Sequence, residues 1–105
     1  MLESVYQSHL IETLEDLFPG CVVLKNDTSY RQGIPDLTIF WGPYWAVLEV
    51  KARRGATIQP NQQYYIDMLN DMSFAAFIYP ENEAEILHVL QQAFQPGGHP
   101  RFLER

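Results

Sequence analysis

Apolar residues recur along this chain with two periods, near 3.6 and near 2, and the switches between them separate helical from extended stretches. Leu2, Val5, Tyr6, Leu10, Leu14, Leu17 and Phe18 share one broad stripe at about 100° per residue, which predicts a helix over 2–18 closed by Pro19-Gly20. The apolar run from Cys21, ending in Lys25 and Asn26, predicts a strand. Two further β-rich runs flank Trp41-Gly42-Pro43-Tyr44, which predicts a tight hairpin with Gly42 and Pro43 at its tip. One face of that hairpin carries Leu37, Ile39, Trp41, Leu48 and Val50, and the other carries Phe40 and Val47. Both faces are apolar, so the pattern predicts a sheet covered by helices on two sides. Gln59-Pro60 introduces a second helix over 60–70 that carries Tyr64, Tyr65, Ile66, Met68 and Leu69, with the two tyrosines read as core. Residues 74–79 read as a buried strand closed by Pro80. A third helix follows over 81–94, with Glu81, Glu83 and Glu85 in its first turn and Ile86, Leu87, Val89, Leu90, Ala93 and Phe94 facing inward. The Pro/Gly-rich stretch after it leaves 95–105 as a tail. The predicted fold is α/β, order α-β-β-β-α-β-α, with a mixed sheet flanked by helices.

Three ionisable residues interrupt the apolar hairpin: Asp36, Glu49 and Lys51. Counting outward from Trp41 opposite Tyr44 sets Asp36 opposite Glu49, with Lys51 two residues further along the same face. Two carboxylates held that close raise one another's pKa and lose hydration, so the arrangement needs compensation. A buried Asp/Glu/Lys salt-bridge cluster is one reading. A divalent cation on hard oxygen ligands, with coordination left for water and a substrate phosphate, is the other. The set as a whole, with Pro35 before Asp36 and an apolar run into Glu49-Val50-Lys51, points to the metal site.

Pro35-Asp36 followed, after a hydrophobic strand, by Glu49-Val50-Lys51 resembles the signature of the PD-(D/E)xK nuclease superfamily. Gly33-Ile34-Pro35-Asp36 with Glu-Val-Lys, and then Gln62 at the start of the next helix, resembles more narrowly the virus-type replication-repair nuclease (VRR-NUC) family, over about residues 1–94. The resemblance implies a restriction-endonuclease-like core, a nuclease domain over 1–94, and a metal-dependent endonuclease that hydrolyses phosphodiester bonds in DNA. It implies Mg²⁺ or Mn²⁺ held by Asp36, Glu49 and the backbone carbonyl of Val50. Lys51 would stabilise or orient the attacking water. Gln62 would face that water or a phosphate, with Gln63 as the alternative if the register shifts. An N-terminal helix in this family supplies a further glutamate, and Glu3 matches it best; complementing the helix dipole is the other role open to Glu3. Stand-alone members, mostly in phages and bacteria, resemble junction-resolving enzymes, which implies a homodimer acting on branched or duplex DNA such as a Holliday junction. Contacts from the third helix or the tail are the candidate interface. A nicking, flap or restriction-like nuclease uses the same chemistry. A non-catalytic nucleic-acid-binding module keeps the fold without needing Asp36, Glu49 and Lys51 together.

Charge modifies this picture. The net charge is −6, which opposes nucleic-acid binding. Yet five of the seven basic residues, Lys25, Arg31, Lys51, Arg53 and Arg54, lie between positions 25 and 54, where the only acids are Asp27, Asp36 and Glu49. DNA is therefore expected over the surface from Lys25 to Arg54, with Lys25, Tyr30 and Arg31 as candidates for phosphate or base contacts. At 105 residues the chain makes one small domain. Cys21 is the single cysteine, which excludes an internal disulfide, and His9, His88 and His99 share no metal-ligand spacing. With no run of about 18 apolar residues and no signal-peptide pattern, neither a membrane span nor export is expected, and the predicted location is cytoplasmic.

Overall fold

The hairpin register governs the sheet. Strands β2 (Leu37–Trp41) and β3 (Tyr44–Val50) pair antiparallel from Trp41↔Tyr44 to Leu37↔Leu48, the register counted from the tip. Gly42 turns at φ +59° and Pro43 carries proline's fixed negative φ, the sign pattern of a type II′ hairpin turn. The computed structural model describes residues 1–96. Its order is α1 (Glu3–Leu17), β1 (Val22–Lys25), β2, β3, α2 (Pro60–Met72), β4 (Phe74–Ile78) and α3 (Glu83–Ala93). The sheet runs β1-β2-β3-β4, with β1, β2 and β3 antiparallel in sequence and β4 parallel to β3. A parallel neighbour needs a crossover, and α2 supplies it. The described residues thus form a small α/β unit with a mixed four-stranded sheet and three helices. Most of the predicted tail, from residue 97 onward, lies outside the described residues.

One face of the sheet meets two helices and the other meets one. Tyr6, Leu10, Leu14 and Phe18 from the α1 side and Leu87, Leu90, Ala93 and Phe94 from the α3 side close over Leu37, Ile39, Ala46, Leu48, Val50, Phe74 and Ile78. The Tyr6 hydroxyl donates to Glu83 at 2.9 Å and joins the two helices. On the opposite face α2 packs Ile66, with Leu69, against Val47 and Ala75. That helix packs chiefly on β3 and β4. Val22, Leu24 and Phe40 are consequently left exposed, where two-sided cover was expected.

Several core assignments change for the same reason, the limited reach of each helix. Leu2 and Val5 are exposed because the buried stripe of α1 narrows to Tyr6, Leu10 and Leu14. Tyr64 is 60% exposed and Val89 is exposed, so α2 turns chiefly Ile66 inward and α3 chiefly Leu87, Leu90 and Ala93. Glu81 precedes α3 instead of sitting in its first turn; its carboxylate accepts the Arg54 backbone N–H at 3.2 Å. No helix among the described residues is long and apolar enough to cross a membrane.

Helix α1 also sets a distance. Its C-terminal end is fixed at the hairpin tip, where the Trp41 indole donates to the Pro19 carbonyl at 2.9 Å and Phe18, Trp41, Tyr44 and Phe94 cluster. Fifteen helical residues span about 22 Å, while the strand from Trp41 back to Asp36 spans about 17 Å. The first turn of α1 therefore arrives beside the open end of the hairpin. Leu10→Ala, at a site with no exposure, is expected to cost about 2–5 kcal/mol in urea unfolding, and Val5→Ala less than about 0.5 kcal/mol.

Candidate active site

Asp36 and Glu49 meet at that open end. The backbone ladder stops at Leu37↔Leu48, and one step further the Val50 N–H donates to Asp36 Oδ2 at 2.9 Å. The aspartate side chain thus replaces the next ladder bond, which fixes its carboxylate over β3. Behind it Pro35 is fully buried. Asn26 secures both residues: its N–H donates to the Asp36 carbonyl at 2.7 Å, and its amide Nδ2 donates to the Pro35 carbonyl at 2.9 Å and to the Thr38 hydroxyl at 2.8 Å.

Glu49 is 4% exposed and Lys51 8%. An ammonium so deeply set needs partners, and it has them. Lys51 Nζ donates to the Thr57 carbonyl at 2.9 Å and to Gln62 Oε1 at 2.8 Å, and lies 3.7 Å from Glu49 Oε2. Gln62 in turn donates through Nε2 to Glu49 Oε2 at 3.0 Å and accepts the Gln59 backbone N–H at 2.9 Å. One amide therefore caps α2 and spaces the lysine from the glutamate. Its orientation follows from its partners, since Oε1 faces two donors and Nε2 faces an acceptor.

The electrostatics are strained. Burial pushes the Glu49 carboxyl up from its ordinary value to about 8, and the neighbouring Asp36 charge pushes in the same direction against the lowering effect of Lys51. Burial raises Asp36 too, opposed by the Val50 N–H, a hydrogen bond shared with Glu49, and Lys51. Both carboxyls are thus held above their ordinary range, with burial as the leading cause. Glu3, at the start of α1, is raised by burial and then by Asp36, which places it within the electrostatic field of the pair. Among the described residues no group of three or more His, Cys, Asp or Glu side chains that could hold a metal ion is found. Gln63 bonds Asp67 on an exposed surface, and Gln62 is the glutamine that faces the site.

The basic candidates are arranged less closely. Lys25, Arg31, Arg53 and Arg54 are all exposed. Lys25 pairs with Leu37 and so lies on the face opposite Asp36. Arg31 donates to the Tyr65 hydroxyl at 3.2 Å, tying the 27–33 loop to α2. Arg53 and Arg54 follow Lys51 in the turn after β3.

Three contributions lay outside the sequence reading: the Asn26 anchor, the Thr57 carbonyl and the close approach of Gly33. Gly33 has φ +90°, and a Cβ placed on it would lie 2.4 Å from the Asn61 Cβ and 2.8 Å from its carbonyl carbon. Only glycine lets the loop press against the first turn of α2, the turn that carries Gln62. A glycine two residues before Pro35 was the visible signal, but its partner is 28 positions away in the chain.

Gly33→Ala is therefore expected to lower stability by about 2–3 kcal/mol in denaturant unfolding and to displace Gln62, because strained φ and overlap act together. A second expectation concerns pH. Folding raises the Glu49 pKa, so between about 4.5 and 8 the folded chain holds a proton that the unfolded chain releases, and stability falls as pH rises through that window. Thermal melts of the metal-free protein from pH 5 to pH 8.5 should show a falling midpoint, and Glu49→Gln should flatten the slope.

Comparison with protein-family models finds no match to this chain, and searches among curated proteins and solved structures find none either.

Proposed function

We propose that this chain is a divalent-metal-dependent DNA endonuclease with a restriction-endonuclease-like core, of the PD-(D/E)xK type and within it similar to the VRR-NUC family. The observation that carries the reading is the Asp36·Glu49 pair, forced together by strand register and compensated by a single ammonium whose own geometry is fixed. With both carboxyls ionised, as ligation of a cation requires, the one lysine leaves net negative charge in a largely buried site. Hard oxygen donors with that charge suit Mg²⁺ or Mn²⁺, with Asp36, Glu49 and the Val50 carbonyl as the donors. When bound, such an ion supplies Lewis acidity to a phosphoryl oxygen and makes a coordinated water more acidic.

The protein's own groups do the positioning. An ammonium has three N–H donors; Thr57 and Gln62 take two of those on Lys51, and Glu49 Oε2 at 3.7 Å is too far for a good third bond. That remaining donor is available to a phosphoryl oxygen as charge develops on it. Gln62 holds the lysine in place and keeps Glu49 oriented. Exposed Arg31, Arg53 and Arg54 would meet DNA phosphates nearby, with Lys25 reaching from the other face and Tyr30 contacting bases. Symmetric cutting of a four-way junction needs two such sites, so the substrate reading carries a homodimer with it.

Cleavage of labelled four-way junction, flap, linear duplex and single-stranded DNA with Mg²⁺ or Mn²⁺ tests the proposal. Wild type should cut, and Asp36→Ala and Lys51→Ala should each lower the rate by at least about 100-fold. The preferred substrate separates a resolvase from a nicking, flap or restriction-like nuclease. Metal-independent binding without cutting of any substrate would refute the nuclease and favour a binding module.

A further inference from the structure

The 27–33 loop borders two openings. One, of about 380 Å³, lies toward the first turn of α2, among Gly33, Gln59 and Gln62. The other, of about 350 Å³, is lined by Asn26, Asp27, Tyr30, Arg31 and Ile34. We propose that this second opening, whose floor residue Asn26 bonds the Asp36 backbone, receives one unpaired nucleobase of a DNA substrate. The inference rests on the nuclease reading for its choice of DNA and deepens it by naming the substrate feature that is recognised.

Size, chemistry and position all favour a base. The volume falls at the lower end of the range for small-ligand sites, roughly 300 Å³ and upward. Tyr30 leaves 83% of its surface in water, an aromatic face of the kind on which unstacked bases settle. The Arg31 guanidinium is steered by its bond to the Tyr65 hydroxyl and offers a second flat surface, while Ile34 adds apolar contact. The floor is rigid: the amide Nδ2 of Asn26 is committed to Pro35 and Thr38, and its Oδ1 accepts from the Thr38 hydroxyl.

Asp27 distinguishes a base from a phosphate. Its Oδ1 accepts both the Ser29 N–H at 3.0 Å and the Ser29 hydroxyl at 2.5 Å, and these bonds hold its carboxyl below the usual range, so it is ionised at neutral pH. A carboxylate repels a phosphate and accepts from the exocyclic amino group of cytosine, adenine or guanine. A base inside a duplex is stacked and paired, so only an unpaired or extruded one can enter. Because Asn26 bonds both Pro35 and the Asp36 backbone, a base held on that floor brings the adjoining phosphodiester toward the carboxylates.

The test uses fluorescence anisotropy with Ca²⁺ in place of Mg²⁺ and three labelled duplexes: fully paired, with a single bulged cytidine, and with a bulged abasic residue at the same place. Wild type is expected to bind the cytidine bulge about tenfold more tightly than the abasic bulge. Tyr30→Ala should erase that ratio and Tyr30→Phe should keep it; the exposed ring makes either change harmless to the core. Equal binding of the cytidine and abasic duplexes by wild type, or a ratio that survives Tyr30→Ala, overturns the base pocket. Parallel reactions with Mg²⁺ separate the two readings. Cutting without the cytidine preference defeats the pocket and leaves the nuclease standing, and the preference without cutting does the reverse.

Discussion

The antiparallel register of β2 against β3 is the constraint on which the rest of the structure depends. Side chains alternate faces along a strand, so a slip of one residue would send Asp36 and Glu49 to opposite sides of the sheet and bury the wrong half of the hairpin. The two-residue turn at Gly42-Pro43 specifies the register at one end. At the other end the Asp36 carboxylate takes the Val50 N–H. The same bond that ends the ladder thus holds a functional group, and the site cannot be separated from the fold that carries it.

Around that pair the chain accepts electrostatic strain and distributes the compensation over distant segments. Lys51 comes from the same strand as Glu49, but its amine is held by Thr57 in the following loop and Gln62 in α2. Asn26 comes from the end of β1, Gly33 from the loop, and Glu3 from the opposite end of α1. Raised pKa values at Asp36, Glu49 and Glu3 share one leading cause, lost hydration, which Lys51 only partly offsets. Local instability of that kind is expected where a site is built for a charged partner. The proposed metal would supply the missing charge, and the proposed base pocket would use the same Asn26 anchor.

The element order, the hairpin tip and the placement of Asp36, Glu49 and Lys51 on one face were legible in the sequence, because each follows from a short-range rule of turn chemistry or strand alternation. Burial was less legible. The periodic stripe of α1 included Leu2 and Val5, and the apolar run of β1 included Val22 and Leu24, yet all four are exposed. Periodicity reports which side of an element is apolar and not how far its neighbour extends, and α2 lies chiefly over β3 and β4. Tyr64 fails for the same reason. Gln62, inferred from resemblance alone, owes its position to three hydrogen bonds that no sequence spacing contains.

By itself the sequence determined an α/β chain whose central hairpin brings two acids and a lysine together, since period-2 alternation and a two-residue turn leave no other pairing. Only the tertiary structure decided how those groups are held: that Gln62 stands between Lys51 and Glu49, that Asn26 anchors Pro35 and Asp36, that Gly33 admits the first turn of α2, and that Lys25 falls on the far face. These contacts join residues far apart in the chain. Their geometry is fixed by how helices stack on the sheet, which depends on the whole core and on no local pattern.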